Sequence, residues 1–496
     1  MDLINGIINV FAPTNLLYCF IGCFLGTLVG VLPGLGPASS LSILLPLTMH
    51  LNPTGSIIML AGLYYGTTYG GSTTSILVNI PGEVCSVATC FDGFPMTKQG
   101  RAGEALWIAA VGSFIAGTLA TIWICIIGPG LAKYALKFGP PEYFGLIFFS
   151  LTALVSLSGA SLRKGLGAGL VGILLATVGV DPYSGAMRFH FGSTAMMRGF
   201  ELIPFVVGLF GIGEILVSAE EDIGKIYEGT LGRMMPRGAE LKKGLKASLR
   251  GTILGFPLGL LPGMVPAVTS FLSYDLEKRI SKYPEKFGTG MIEGVAGPES
   301  ANNATAQAGF IPLMVFGIPT SPSWAIVLAV LMIYGLTPGP VLFQTNKQFV
   351  WTVIGSMYIG NVILLILNLP LVKYWAKISL IPYKYLGPSI LGICMIGAYS
   401  SRNTMFDVWI ALGAGILGYF MKKKNWPLAP LVLGFILGPM LEQSLRQSLS
   451  MGGTLIFFKR PLTTALILLA IIVVIISLKY LRRVPKELLE DDESTK

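Results

Sequence analysis

The stretch "VLPGLGPASS", Val31 to Ser40, decides how this chain is read. It sets two prolines and two glycines inside an apolar run that begins at Leu16 and is long enough to cross a bilayer. Proline and glycine free backbone N–H and C=O groups, and within hydrocarbon these are tolerated only where protein or water satisfies them. The break therefore marks a cavity. Pro33 and Gly34 stop one helix, while Pro37 suits the first turn of the next, where its missing N–H costs nothing. That second helix opens with Ala38, Ser39 and Ser40, so free N–H groups and hydroxyls face the break. The helix macrodipole makes such an end an anion site.

The rest of the chain supplies the membrane. Of 496 residues, 53% are hydrophobic and 12% charged, about half the charge of a soluble domain. Apolar runs lie near 15–35, 54–80, 105–128, 143–160, 165–180, 200–218, 307–335, 349–369, 385–400, 406–421, 427–441 and 461–480. These predict an all-α polytopic membrane protein of about 10–12 spans, embedded in a lipid bilayer. The net charge of +10 comes from lysines and arginines at the ends of apolar segments. Such placement reports topology and gives no reason to expect nucleic acid. Ser218 to Lys246 and the tail from Leu478 are basic and adjoin membrane segments, so both are expected in the cytoplasm. The first fifteen residues carry no lysine or arginine, which places the N-terminus outside. Six scattered cysteines without CxxC spacing are small buried hydrophobes.

The opening motif is written twice. "LPGLGPASS" falls on "LPGMVPAVT", Leu261 to Thr269, at an offset of 262 − 33 = 229. "NIPGE" (Asn79 to Glu83) matches "GIPTS" (Gly317 to Ser321) at 319 − 81 = 238. "DGFP" from Asp92 matches "YGLTP" from Tyr334 at about 242, and "GAGLVG" matches "GAGILG" at 413 − 167 = 246. The order never changes and the offset grows slowly, as in a tandem duplication. The organisation expected is a first membrane repeat over 1–225, a cytoplasmic linker over 226–246, a second repeat over 247–480 and a cytoplasmic tail over 481–496. With the N-terminus outside and the linker inside, each half crosses an odd number of times. The halves then form two inverted structural repeats with broken or re-entrant helices, the plan of secondary transporters. Gly36 has Val265 as its counterpart, so the two breaks are expected to differ in backbone.

Polar residues gather beside both breaks. "YYGTTYGGSTTSILVNIPGE" carries Thr67, Thr68, Ser72, Thr73, Thr74, Ser75 and Asn79, with Gly66, Gly70 and Gly71 expected to loosen the helix. "GPESANNATAQAGFIPLMVFGIPTSPS" carries Glu299, Ser300, Asn302, Asn303, Thr305, Gln307, Thr320 and Ser321. Carbonyl, amide and hydroxyl oxygens suit a hard cation such as Na⁺. Small and polar residues also let membrane helices pack closely, and Gly22 with Gly26 is read that way. Most of the membrane-segment carboxylates, including Glu83, Asp92, Glu104, Asp181, Glu201, Glu214 and Glu293, fall near helix ends, where solvation is ordinary. Glu299, beside the Asn-Asn pair, is assigned to an ion or proton path. Lys98 and Arg101 either attract an anion or anchor the chain at the membrane surface. No GxxxxGK[ST] loop, GxSxG elbow or HExxH motif occurs, so an enzyme is not expected and an ion gradient is the energy source.

"GTLVGVLPGLGPASSLSILLPLT", "YYGTTYGGSTTSILVNIPGE", "DGFPMTKQGRAGEAL" and "GPESANNATAQAGFIPLMVFGIPTSPSWAIVLA" together resemble the large membrane subunit of the tripartite tricarboxylate transporter family, from about Gly26 to Gly453. The resemblance implies a multi-pass permease of the bacterial inner membrane. Its partners would be a small membrane subunit and a periplasmic solute-binding protein. The cargo would be a small carboxylate such as citrate, driven by Na⁺ or H⁺ without any other cofactor or metal. It places substrate contacts at Gly34, Gly36, Ser39, Ser40, Gly263, Thr269, Ser270, Asn302, Asn303, Thr320 and Ser321. Ion contacts fall to Ser72, Thr73, Thr74, Asn79, Glu299 and Thr305. A carboxylate or ion channel using the same breaks as a filter, and a scaffold subunit that transports nothing, are the rival classes. The particular acid, Na⁺ versus H⁺, and a homodimer versus a single copy stay open at this level.

Overall fold

Helix starts in this chain are written by proline. Pro13, Pro37, Pro53, Pro140, Pro266, Pro322 and Pro461 are each the first residue of a helix, where a fixed φ is already helical and the missing N–H has no partner to lose. The computed structural model describes residues 2–32, 35–157, 161–181, 184–220, 231–372, 374–375 and 383–481. Pro33 and Gly34 of the first break, residues 221–225 at the end of the first expected repeat, residues 226–230 of the linker and the tail from 482 lie outside the described residues.

The helices in chain order are α1 (Asp2–Val10), α2 (Pro13–Gly30), α3 (Pro37–Thr48), α4 (Pro53–Val78), α5 (Val87–Lys98), α6 (Ala102–Ala135), α7 (Pro140–Leu157) and α8 (Leu162–Ala176). After them come α9 (Leu202–Val206), a π-helical turn (Val207–Ile212), α10 (Gly213–Ser218), α11 (Gly238–Gly259), α12 (Pro266–Ile280), α13 (Glu293–Ala308), α14 (Phe310–Phe316) and α15 (Pro322–Ile333). The chain ends with α16 (Leu342–Thr345), α17 (Lys347–Asn368), α18 (Tyr383–Arg402), α19 (Met405–Lys423), α20 (Leu428–Gly452), α21 (Ile456–Lys459) and α22 (Pro461–Leu481). One two-stranded antiparallel ribbon, β1 (Gly179–Val180) with β2 (Met187–Arg188), is the exception to the helical expectation.

Among the described residues, five helices are long and apolar enough to span a bilayer: α2, α6, α17, α19 and α20. Ten to twelve were expected. Part of the difference has a physical cause. The run at 54–80 does form one 26-residue helix, α4, but Gly55 to Leu77 are buried by protein, so this helix carries glycines and hydroxyls where a lipid-facing one would carry leucines. The run at 307–335 divides into the end of α13, then α14 and α15, with Gly317–Ser321 between them.

Contacts divide the chain into two compact units, one of residues 1–137 and 200–420, the other of 138–199 and 421–496. In the first unit α2 packs on α4 and α11 on α13, both through glycine. Gly22, Gly26 and Gly30 meet the carbonyls of Met59, Leu63 and Thr67; Gly251, Gly255 and Gly259 meet those of Gly297, Ala301 and Thr305. Every glycine is displaced by 229 (259 − 30) and every partner by 238 (305 − 67), the offsets seen in the sequence. A β-carbon on Gly30 would lie 2.4 Å from the Thr67 carbonyl oxygen, and one on Gly259 2.6 Å from that of Thr305, so only hydrogen fits. Gly66 and Gly70 do not loosen α4, which is continuous; they complete the same contact by meeting the carbonyls of Cys23 and Thr27.

The first unit also packs α19 on the π-helical turn, with Gly418 against the Leu209 carbonyl and Gly415 against Ile212. In the second unit α8 packs on α20, with Gly172 against the Leu431 carbonyl and Gly169 facing α20 across from Gly434. The glycines are again related by 418 − 172 = 246 and their partners by 431 − 209 = 222. The ribbon of the second unit is tied down by Arg188, which pairs with Asp181 at 2.7 Å and Glu442 at 2.9 Å. Arg446 reaches the same two carboxylates.

Candidate functional site

The described helix ends at the breaks share their backbone. α4 ends at Asn79 with φ 60° and ψ 23°, and α14 ends at Gly317 with φ 69° and ψ 25°, left-handed caps related by 317 − 79 = 238. α3 is preceded by Gly36 with φ −70° and ψ 173°, and α12 by Val265 with φ −74° and ψ 151°. The unlike backbones expected from glycine opposite valine are therefore not found at this position. Gly36 has an extended conformation that any residue takes, and the conformation reserved for glycine falls at Gly263, with φ 84°.

Between these breaks lies a buried polar core in the first unit. Glu299 on α13 is fully buried. Ser72 Oγ of α4 donates to its Oε2 at 2.6 Å, and the Thr89 hydroxyl of α5 donates to Oε1. Asn303, one turn on, donates to Ser113 Oγ of α6 at 2.8 Å and to the Glu299 carbonyl at 3.0 Å, and accepts from Thr68 at 3.3 Å. Tyr69 donates to Asn361 Oδ1 of α17 at 2.8 Å, and Thr121 to Gln307 at 2.9 Å. A cavity of about 10 Å³, lined by Tyr69, Ser72, Thr73, Ser113 and Asn368, lies behind Ser72. It has room for about one water.

Glu83 occupies the segment between α4 and the short turn Val84–Ser86. A β-carbon on Gly36 would lie 3.9 Å from its Cβ and one on Gly71 3.0 Å from its Cγ, so the side chain sits between α4 and the start of α3. The Ser86 amide donates to the Glu83 carbonyl at 3.1 Å, and both carboxylate oxygens are buried without a hydrogen bond of good geometry, the Asn302 amide and the Cys85 thiol being the side-chain donors that approach them. Asn302 faces Glu83. Both of its amide atoms are buried and unpartnered, as is the Tyr65 hydroxyl. Among the described residues no lysine or arginine pairs with Glu83 or Glu299. Arg101 is held instead by Glu104 at 2.9 Å and Glu240 at 2.5 Å, and the Lys98 ammonium stands over the Phe94 ring at 4.6 Å.

The residues chosen from the sequence divide. Ser72, Glu299, Asn302 and Asn303 come together with Gly36 in this core, and Thr73 lines the adjoining cavity. Thr269, Ser270 and Thr305 form a second cluster at the start of α12. Thr305 donates to the Gly255 carbonyl and to Thr269 Oγ1, each at 2.9 Å, and Ser270 to the carbonyls of Pro266 at 3.1 Å and Pro298 at 3.4 Å. The remaining hydroxyls serve local structure: Ser40 bonds the Gly36 carbonyl, Thr74 the Gly71 carbonyl, and Ser321 caps α15 by accepting from Trp324. Ser39 donates to Glu214 at 3.2 Å. Thr320 is buried against Gly309, and Asn79 is exposed. Gly34 lies outside the described residues. Thr89, Ser113 and Asn361 belong to the core although no motif singled them out, each lying outside the two polar stretches beside the breaks. Glu83 had one, its place in "NIPGE".

Glycine-packed helices around such a core define a helical, multi-pass membrane protein with a buried polar site enclosed by helix breaks. Residues 16–433 match the family described as tripartite tricarboxylate transporter TctA, and the chain belongs to that family. The resemblance drawn from the motifs thus holds, and membership implies a tripartite system with a binding protein and a small membrane subunit. The chain is 45% identical over 487 residues to an uncharacterized 52.8 kDa protein of the TAR-I ttuC' 3' region of Agrobacterium vitis, covering 96% of this chain and 97% of that protein. It is 46% identical over 213 residues to an uncharacterized protein of the TAR-II ttuC' 3' region of the same organism, covering 42% of this chain and 88% of that one. No solved structure matches.

Proposed function

We propose that this chain is the large permease subunit of its tripartite system, a secondary transporter that imports small carboxylates across the bacterial inner membrane on a Na⁺ or H⁺ gradient. The observation that carries this reading is the pair of matching helix breaks around one buried polar core, in a chain of a transporter family. A carboxylate is bound at the first turns of α3 and α12, whose amides outside the helix ladder suit an anion, although at α12 the Val268 amide is already bonded to the Val265 carbonyl at 3.0 Å. The hydroxyls of Thr269 and Ser270 already bond carbonyls, so backbone N–H groups carry that contact. Coupling cations occupy the carboxylate-rich side, at Ser72 and Glu299.

The constant offsets between the glycine contacts of the two halves support two repeats, and the charge pattern supports their inverted sense. In this mechanism the broken segments move as one body past the continuous helices, an elevator form of alternating access. The test is uptake of a panel of radiolabelled di- and tricarboxylates by cells with all three components, with Na⁺ and pH varied separately. Saturable uptake that stops when the gradient is collapsed supports the carrier. Conductance at open-pore rates identifies a channel, and absence of uptake for the whole panel refutes the carboxylate reading.

A further inference from the structure

Burying a charge is costly unless it is paired, and burying polar atoms is costly unless they are hydrogen-bonded. Glu83 and Asn302 break both rules together. The buried side-chain atoms left without a partner include Glu83 Oε1 and Oε2 and Asn302 Nδ2 and Oδ1, all the polar atoms of two facing side chains. An ionised carboxylate and a primary amide cannot satisfy each other. The amide N–H₂ donates to one carboxylate oxygen, which leaves the amide oxygen and the other carboxylate oxygen as two acceptors whose one neighbouring side-chain donor, the Cys85 thiol, is weak and uncharged. One positive charge placed between those acceptors completes the set. The nearby groups do not supply it: Glu299 adds a second negative charge, Cys85 and Tyr64 are not bases, and no lysine or arginine pairs with Glu83 among the described residues.

We propose that Glu83 and Asn302 form a binding site for one monovalent cation taken from solution, bridging a Glu83 carboxylate oxygen and Asn302 Oδ1. The shared chemistry is a cation between two oxygen acceptors, met by Na⁺ or by a proton. With a proton, the acid and the amide close a cyclic pair of hydrogen bonds in which each of the four atoms has a partner. With Na⁺, the ion takes the two acceptors and the amide N–H₂ the remaining carboxylate oxygen. Either way, occupation ties the break after α4 to α13 across 302 − 83 = 219 residues, beside the start of α3. A cation bound there neutralises a carboxylate next to the helix end proposed for the anionic cargo, so cation and cargo binding reinforce each other. This deepens the ion-coupled reading above and rests on it for the word coupling.

The experiment measures the cation alone, on the purified full chain in lipid nanodiscs with no carboxylate present. ²²Na⁺ binding reports the metal ion, and the infrared carbonyl band of a protonated carboxylic acid, followed against pH, reports the proton. Glu83→Gln keeps the shape and pairs with Asn302 without a charge. The expected result is one Na⁺ fewer bound than in the unaltered protein, or loss of one titrating carboxylic-acid band. Asn302→Ala is the second variant, and removal of a partner to a charged group is expected to weaken cation affinity about tenfold or more. Equal Na⁺ binding and equal carbonyl bands in the unaltered protein and in whichever variant is folded would overturn the proposal. Because no carboxylate is present, a failure of cargo uptake leaves this result standing, and a failure here leaves the carboxylate reading standing.

Discussion

Replacing Ser72 by alanine isolates one contact of the core. Ser72 Oγ donates to Glu299 Oε2 at 2.6 Å, and the Thr89 hydroxyl serves Oε1 of the same fully buried carboxylate. A hydrogen bond to a charged group contributes about 1.5–3 kcal/mol, and its loss leaves a buried oxygen unpaired. At about 1.4 kcal/mol per factor of ten, uptake that depends on an ionised Glu299 falls roughly 10- to 100-fold. Thr89→Val, which keeps the shape and removes the hydroxyl, gives a similar loss, and Thr89→Ser restores near-normal uptake. Both donors hold one carboxylate, so the double variant loses less than the sum of the two. The assay is the initial rate of carboxylate uptake in cells with all components, normalised to the membrane amount of the subunit by immunoblot. Normal rates in both Ser72→Ala and Thr89→Val would remove Glu299 from the transport site.

Gly30→Ala and Gly259→Ala each drive a β-carbon to within 2.4 and 2.6 Å of a carbonyl oxygen, and each is expected to cost about 1–3 kcal/mol. Gly36→Ala, whose β-carbon finds nothing nearer than 3.9 Å, stays as stable as the parent. Size-exclusion profiles after heating distinguish these outcomes. Asp92 Oδ1 accepts from the amides of Gly288, Gly290 and Met291 at 2.9, 2.8 and 2.7 Å, and Tyr274 donates to its Oδ2 at 2.9 Å. Asp92→Ala is therefore expected to release the 284–292 loop, read as faster cleavage there by added protease; an unchanged cleavage rate refutes the latch. A topology reporter fused before residue 1 is expected outside and one inserted in 231–237 inside. The same side for both would falsify the inverted halves.

Composition and spacing made the membrane class and the helix breaks legible, because each depends on short-range chemistry. Proline at a helix start, glycine where backbones touch and apolar runs of spanning length are local demands that repeat at fixed offsets. The site was only partly legible. Asn79 shares a polar stretch with Ser72, yet it is the left-handed cap of α4 and is exposed. Thr305 follows the Asn-Asn pair but belongs to the stripe Gly297, Ala301, Thr305 that faces α11, while Glu299 and Asn303 lie on another face of the same helix.

What the sequence determined by itself is the class of protein, the two breaks and the residues able to stop and restart helices inside a bilayer. What only the tertiary structure decided is which polar groups meet. Ser72 reaches Glu299 across 299 − 72 = 227 residues, Thr89 joins them from a third helix, and Glu83 is left opposite Asn302 without a well-formed hydrogen bond to its carboxylate. Helical periodicity assigns a residue to a face, but the neighbour of that face is set by how helices pack. In a core of low dielectric, that neighbour determines whether a hydroxyl or a carboxylate is satisfied within the protein or left for a ligand.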